Sequence, residues 1–137
     1  MSEFVDTNVF VRSLTRDDTE KASRSFDLFH RANKGDFTLT TSEAVVAETV
    51  IVLSSSRLYG TPRGTIARNL GAVLAGGGLQ IEHKDVILEA LAHYGESNLH
   101  FVDCLCVAHA RRSSATASIY SYDQGLDRVP GISRLEP

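Results

Sequence analysis

Four acidic residues occupy positions that are unusual for solvated carboxylates: Asp6, Glu48, Asp103 and Asp123. Asp6 and Asp123 each directly follow a short apolar segment that reads as a strand, and ligands of open α/β sheets bind beyond the carboxyl ends of the strands. Glu48 and Asp103 lie among mostly apolar helical neighbours, where an unpaired carboxylate is costly. If the four converge, protons or cations must offset their repulsion. Oxygen-only ligands favour Mg²⁺ or Mn²⁺ over zinc.

Each acid also has an ordinary structural interpretation. Asp6 and Asp103 stand where an N-cap is expected, Asp123 begins a plausible turn with Gln124 and Gly125, and Glu48 is a candidate for a salt bridge to arginine. For Asp123 alone the turn is the better interpretation. The metal-site hypothesis therefore rests on the four residues together.

Divalent ions held by carboxylates recur in phosphodiester hydrolysis, where they polarise a phosphate oxygen and lower the pKa of a bound water. In this hypothesis Asp6 and Asp103 are the principal metal ligands. Glu48 binds the metal directly or through water and helps to orient the attacking water. Asp123 completes the site or holds a second ion, so the sequence predicts one or two ions.

Neutral and basic residues supply further candidates. Thr7, Asn8 and Ser121 are predicted to hydrogen-bond the carboxylates or a phosphate, although helix capping and strand-end hydrogen bonds explain them equally well. Four arginines are candidates for contact with an RNA backbone, with a solvated surface as the alternative for each: Arg12, Arg16, Arg111 and Arg112. Asp127 is a weaker acidic candidate.

These residues need a scaffold in which strands and helices alternate, which is typical of an α/β fold with a mostly parallel sheet. Predicted strands cover residues 4–5, 37–40, 79–82, 117–121 and 132–135. Predicted helices cover residues 8–14, 20–32, 42–57, 62–75, 85–94 and 99–112. The cap candidates are Asp17 or Asp18, then Thr40, Thr41 or Ser42 with a capping box predicted from Thr40 to Glu43, and Thr61 before Pro62.

The 137 residues suit one domain, here residues 1–137, with 42% hydrophobic and 23% charged residues as in a soluble protein. No segment predicts a membrane span or a signal peptide, so a cytoplasmic location is expected. Cys104 and Cys106 do not face each other on a helix, which predicts buried thiols and no disulfide. The net charge of −3 disfavours nucleic-acid binding, although bound cations reverse the local charge of an acidic site.

The ordered set of motifs resembles a PIN-domain ribonuclease, and in particular the VapC-type toxins of bacterial toxin–antitoxin systems. The resemblance covers essentially the whole chain. Its motifs are Phe4-Val5-Asp6-Thr7-Asn8-Val9-Phe10, Glu48 in its apolar helix, Phe101-Val102-Asp103-Cys104-Leu105 and Ser121-Tyr122-Asp123.

The resemblance implies a three-layer α/β/α sandwich around a parallel sheet and RNA cleavage with Mg²⁺ or Mn²⁺. It places Asp6, Glu48, Asp103 and Asp123 at the acidic positions of the family, and Thr7, Asn8 and Ser121 at its polar positions. Ser121 stands where threonine is also common, which keeps the hydroxyl group. The resemblance also implies a homodimer and inhibition by a small antitoxin protein.

Three other functions remain as alternatives. A phosphatase with an aspartate nucleophile typically has a second aspartate two residues later, where this chain has Asn8. A signalling receiver domain needs a lysine late in the chain, but the last lysine is Lys84. A non-catalytic metal- or partner-binding module on the same fold is disfavoured by the intact acidic set.

Overall fold

A computed structural model describes residues 2–113 and 115–137. Its helices and parallel strands form a three-layer α/β/α fold, as the sequence predicts. The helices are α1 (Thr7–Leu14), α2 (Thr19–Asn33), α3 (Glu43–Ser54), α4 (Arg63–Leu74), α5 (Lys84–Glu96) and α6 (Phe101–Ser113). The strands are β1 (Ser2–Phe4), β2 (Thr38–Thr40), β3 (Leu79–Gln80), β4 (Ser118–Tyr120) and β5 (Ser133–Leu135). A short 3₁₀ helix, Gln124–Arg128, lies between β4 and β5, where the sequence predicted only a turn.

The helix caps agree with the prediction only in part. Asp18 caps α2 by accepting a hydrogen bond from the Lys21 amide at 3.0 Å, as predicted. Of the three candidates for the start of α3, Ser42 is the cap, and its hydroxyl accepts from the Val45 amide at 3.3 Å. The capping box predicted from Thr40 is therefore wrong. The predicted Thr61 cap is also wrong, because Pro62 itself occupies the cap position of α4.

The strands pair in two parallel groups. β2 lies between β1 and β3, with Phe4 opposite Thr40 and Leu39 opposite Leu79. β4 pairs with β5 in a separate ladder. The parallel arrangement is as predicted, but among the described residues no ladder joins the two groups into one sheet. The predicted first strand is displaced, since Val5 follows β1, although its amide still donates to the Thr40 carbonyl at 2.8 Å.

Two hydrophobic clusters correspond to these two groups. The larger cluster runs from Val5 to Ala108 and includes the fully buried Phe10, Leu70 and Ile87. We call residues 5–108 the body. The smaller cluster consists of Val107, Leu126 and Val129, with Leu99, Ile119 and Ile132 packed against it. We call residues 118–135 the C-terminal segment.

Helix α6 connects the body to the C-terminal segment. Its residues Cys104, Leu105 and Ala108 are buried in the larger cluster, whereas Val107 is buried in the smaller one. The helix therefore fixes the position of the segment by packing on two faces. None of the described helices is long and apolar enough to span a membrane.

Candidate active site

Asp6 caps the helix that follows the first strand. Its Oδ1 accepts a hydrogen bond from the Asn8 amide at 3.1 Å, so the ordinary capping role is present. The Asp6 side chain is exposed at the carboxyl end of β1, and its second oxygen takes no part in the cap. The preceding carbonyl, that of Val5, accepts from the Thr41 hydroxyl at 2.9 Å. This bond ties the end of β1 to the residues that lead into α3.

Glu48 lies in the middle of α3, and its side chain is exposed. The expectation that its apolar neighbours would bury it is wrong. Ala44 is exposed and Ile51 is 60% exposed, so the apolar surface around Glu48 itself faces solvent. Because α3 is apolar on all sides, hydropathy cannot show which side packs inward. Among the described residues, no side chain pairs with the Glu48 carboxylate.

Asp103 lies in the first turn of α6, and its side chain is half-buried. It is the third residue of the helix, so the N-cap interpretation is wrong. Loss of solvent and then the negative charges of Asp103 and Glu43 raise the pKa of the nearby Cys106 thiol. Cys106 is exposed, contrary to the prediction, whereas Cys104 is buried and both thiols are free.

Asp123 begins the 3₁₀ helix of the C-terminal segment. Its Oδ1 accepts from the Gly125 amide at 2.9 Å, which is the turn role that the sequence suggested. Its own amide donates to the Ser121 hydroxyl at 3.0 Å. Ser121 thus fixes the backbone of Asp123, which is a positioning role. The side chain of Asp123 is exposed.

Helices α3 and α6 run antiparallel. At one end Glu43 Oε1 lies 2.8 Å from His109 Nε2. Towards the other end Ile51, late in α3, borders the same cavity as Val102, at the start of α6. The Glu43–His109 contact and the shared cavity together indicate the register of the helix pair.

This register determines how far along the helix pair two of the candidate acids, Glu48 and Asp103, lie. Glu48 is five residues from Glu43, and Asp103 is six residues from His109. At a rise of about 1.5 Å per residue, both acids lie about 7 to 9 Å along the helices from the Glu43–His109 contact. Glu48 and Asp103 therefore occupy the same level of neighbouring helices.

Asp103 and Asp123 border one cavity of about 570 Å³ between α6, the end of α5 and the C-terminal segment. Asp6 and Glu48 are not among the residues that line it. Sequence reasoning did not single out three of its titratable or charged side chains, His93, Glu96 and Arg128. Nothing in their sequence context marks them, because only the folded chain brings them beside the two aspartates. His100 is exposed and also lines the cavity.

The four candidate acids share an electrostatic property. In the described part of the chain, none of them forms an ion pair with Arg, Lys or His. Most other acids do, and the paired ones are Asp17, Asp18, Glu20, Asp36, Glu43, Glu82, Asp85, Glu89, Asp127 and Glu136. The candidate acids therefore keep their negative charge available for an external cation.

The chemistry of this donor set fits Mg²⁺ or Mn²⁺. Mg²⁺ keeps several waters and is usually held by one or two carboxylates together with substrate phosphates. Asp103 and Asp123 at one cavity supply two such carboxylates. Within residues 2–113 and 115–137, no group of three or more His, Cys, Asp or Glu side chains is placed to hold a metal ion. An ion at this cavity would therefore rest on the two carboxylates and its own waters.

Several of the other predicted residues already have partners within the fold or are buried. Thr7 is buried in the first turn of α1, and Asn8 is exposed and donates its backbone amide to the Asp6 cap. Arg12 pairs with Asp17 at 3.2 Å. Arg112 pairs with two acids of α5, Asp85 at 3.3 Å and Glu89 at 3.2 Å.

Two of the candidate arginines form no ion pair among the described residues, so their charge is free to contact RNA. Arg111 donates to the Pro130 carbonyl at 3.2 Å, and Arg16 has no ion pair among the described residues. Asp127 has a structural role, because Arg134 binds both of its carboxylate oxygens, at 2.8 and 3.3 Å. Arg134 lowers the pKa of Asp127 through these hydrogen bonds.

Parallel strands with helices on both sides define an α/β protein, in which Asp6 and Asp123 follow the ends of strands. The chain matches the PIN domain family over residues 4–132, and it therefore belongs to that family. PIN domains are generally nucleases that act on nucleic acid, and they are usually metal-dependent. A comparison with curated proteins found no match.

Proposed function

We propose that this chain is a metal-dependent endoribonuclease that hydrolyses RNA phosphodiester bonds with Mg²⁺ or Mn²⁺, one or two ions. The observation that carries the proposal is that Asp103 and Asp123, both without an ion-pair partner among the described residues, border one cavity of a PIN domain. We treat residues 1–137 as a single nuclease domain.

In this proposal Asp103 and Asp123 hold the metal at the cavity. Asp6, at the carboxyl end of β1, and Glu48, at the level of Asp103 on α3, complete the acidic set. A bound divalent ion supplies Lewis-acid activation of a phosphate oxygen and of a water. The protein contributes fixed orientation, since Asp6 and Asp123 each use one oxygen to cap a helix, and this restricts the rotation of the carboxylate. Ser121 orients the Asp123 backbone.

The decisive experiment compares RNA cleavage by the wild-type chain and the Asp103→Asn variant, which removes charge while keeping size. Loss of several kcal/mol of transition-state stabilisation lowers the cleavage rate about 100-fold or more. Asp27→Asn is the matched control, because Asp27 is an exposed acid on α2 without an ion pair among the described residues. Single-turnover cleavage is measured with Mg²⁺, with Mn²⁺ and with EDTA.

Metal binding is measured in parallel by calorimetry. The proposal expects a Mn²⁺ heat signal in the wild-type chain and in Asp27→Asn, and its loss in Asp103→Asn. A folded wild-type chain that binds Mn²⁺ but leaves total cellular RNA intact refutes the nuclease and supports the alternative, a non-catalytic metal- or partner-binding module. Equal cleavage by all three proteins refutes the assignment of Asp103.

The likeness of the motifs to VapC-type toxins supports a finer proposal, that the chain is the toxin of a toxin–antitoxin pair in the cytoplasm. It would then act as a homodimer and be held inactive by a cognate antitoxin protein. Controlled expression tests this: the wild-type chain should arrest growth, and Asp103→Asn should not. Growth unaffected by an active, expressed nuclease excludes the toxin role.

A further inference from the structure

Arg128 is the last residue of the 3₁₀ helix in the C-terminal segment, and its side chain is exposed. It borders the same cavity as Asp103 and Asp123. Of the described residues, it is the only Arg or Lys that does so. A single positive side chain thus stands at the edge of a cavity that already carries unpaired carboxylates.

The nearby acids do not neutralise Arg128. Its sequence neighbour Asp127 is bound through both oxygens by Arg134, at 2.8 and 3.3 Å. Arg134 also binds Glu136 Oε1 at 2.7 Å, and its side chain is only 13% exposed. Because Arg134 binds Asp127 and Glu136, neither of these acids pairs with Arg128.

The acids of the cavity also leave Arg128 unpaired. Asp103, Asp123 and Glu96 all line the cavity, but in the described chain none lies within ion-pair distance of the guanidinium. No side-chain hydrogen bond from Arg128 to a described residue is present either. The cavity therefore presents positive and negative groups that are held apart, so each stays available to a third group.

Other arginines without a partner lie elsewhere. Arg57 and Arg68 are exposed and form no ion pair with a described residue, but they do not line this cavity. The feature specific to Arg128 is thus its place beside Asp103 and Asp123, and not exposure alone.

A guanidinium is suited to bind phosphate through two parallel N–H donors, and it stays charged at any physiological pH. Carboxylates that hold a hydrated cation bind a phosphate through that cation. We infer that Arg128 binds a backbone phosphate of single-stranded RNA at this cavity and so positions the substrate, an inference that rests on the proposed nuclease function. The cleaved strand then contacts both the acids and the arginine.

The test measures binding of a fluorescein-labelled single-stranded RNA by anisotropy at several salt concentrations in EDTA, together with single-turnover cleavage in Mg²⁺. Arg128→Ala is expected to weaken binding about tenfold, and the slope of log affinity against log salt should fall by about 0.7 to 1, as for one lost phosphate contact. Arg128→Lys should recover the slope but only part of the affinity, since lysine lacks the paired donors.

Arg68→Ala is the matched control, and its affinity and salt slope should equal those of the wild-type chain. Thermal unfolding of each variant shows that the fold is kept. If the wild-type chain cleaves RNA and Arg128→Ala matches Arg68→Ala in affinity, salt slope and rate, the role of Arg128 is overturned while the nuclease stands. If the wild-type chain neither binds nor cleaves RNA, both are overturned.

Discussion

The body and the C-terminal segment differ in how much apolar contact holds them. The body buries a continuous cluster from Val5 to Ala108 that involves all six helices. The segment is held by three buried residues, Val107, Leu126 and Val129. Since burial of apolar surface is the main favourable term in folding, the segment is the less stable of the two.

The candidate site is divided between these two regions. Asp6 and Glu48 belong to the body, Asp123 and Arg128 belong to the segment, and Asp103 lies on the helix that packs against both. The proposed chemistry therefore depends on a weakly held segment that must stay aligned with a strongly held body. The following predictions test this difference in order of decreasing effect.

Leu70→Ala should produce the largest loss of stability. Leu70 is fully buried in α4, and removal of a buried leucine side chain costs about 2–5 kcal/mol in the free energy of unfolding. Chemical denaturation monitors the loss, and labelling of the buried Cys104 in a Cys106→Ser background reports exposure of the body. Unchanged protection of Cys104 under mildly denaturing conditions would show that Leu70 does not support the larger cluster.

Leu126→Ala should destabilise the segment and leave the stability of the body unchanged. Leu126 is 3% exposed, but few side chains surround it, so we expect a cost near the lower limit of such substitutions, about 2 kcal/mol. Hydrogen exchange should rise in residues 118–135 while α4 stays protected, and RNA cleavage should fall because Asp123 and Arg128 lose their alignment. If hydrogen exchange in α4 rises as much as in residues 118–135, the segment and the body do not differ in stability.

Lowering the pH should destabilise the segment before it destabilises the body, and we expect the change in stability to be small. Hydrogen bonds from Arg134 lower the pKa of Asp127 in the folded chain, so the pair stabilises the segment above the unfolded pKa of about 3.9. That contribution is lost as the pH falls through the lower, folded pKa. Hydrogen exchange of residues 118–135 at a series of acidic pH values measures it. Asp127→Asn should remove this pH dependence, and an unchanged pH profile in the variant rules out the pair as its source.

Much of the fold follows from local signals in the sequence. The Asp18 cap fixed one helix start, and apolar strands ending at Asp6 and before Asp123 indicated where the site residues lie. These features depend on contacts between residues close in sequence, which a single sequence records directly. The family resemblance at the level of the PIN domain is confirmed.

The features that the sequence did not predict depend on contacts between residues that are far apart in the chain. Glu48 was expected on a buried face because the whole of α3 is apolar, yet that face is exposed. The strands pair in two separate ladders, and no local pattern in the sequence encodes this split. In the sequence, Arg128 looks like an ordinary surface residue beside an acid, Asp127. Only the fold shows that Arg134 binds Asp127 and leaves Arg128 without that partner.

The two clusters also bear on the order in which a nascent chain acquires its parts. The body draws its apolar residues from positions 5 to 108, all of which are synthesised before Ser118. Because a chain is made from its N-terminus, the residues of the body are synthesised before those of the segment, and part of the chain exists without the segment. A ribosome-bound chain at that point carries Asp6, Glu48 and Asp103 but lacks Asp123 and Arg128. The proposed nuclease would therefore stay inactive on the translating ribosome until its own segment emerges, which separates synthesis of the enzyme from attack on nearby RNA.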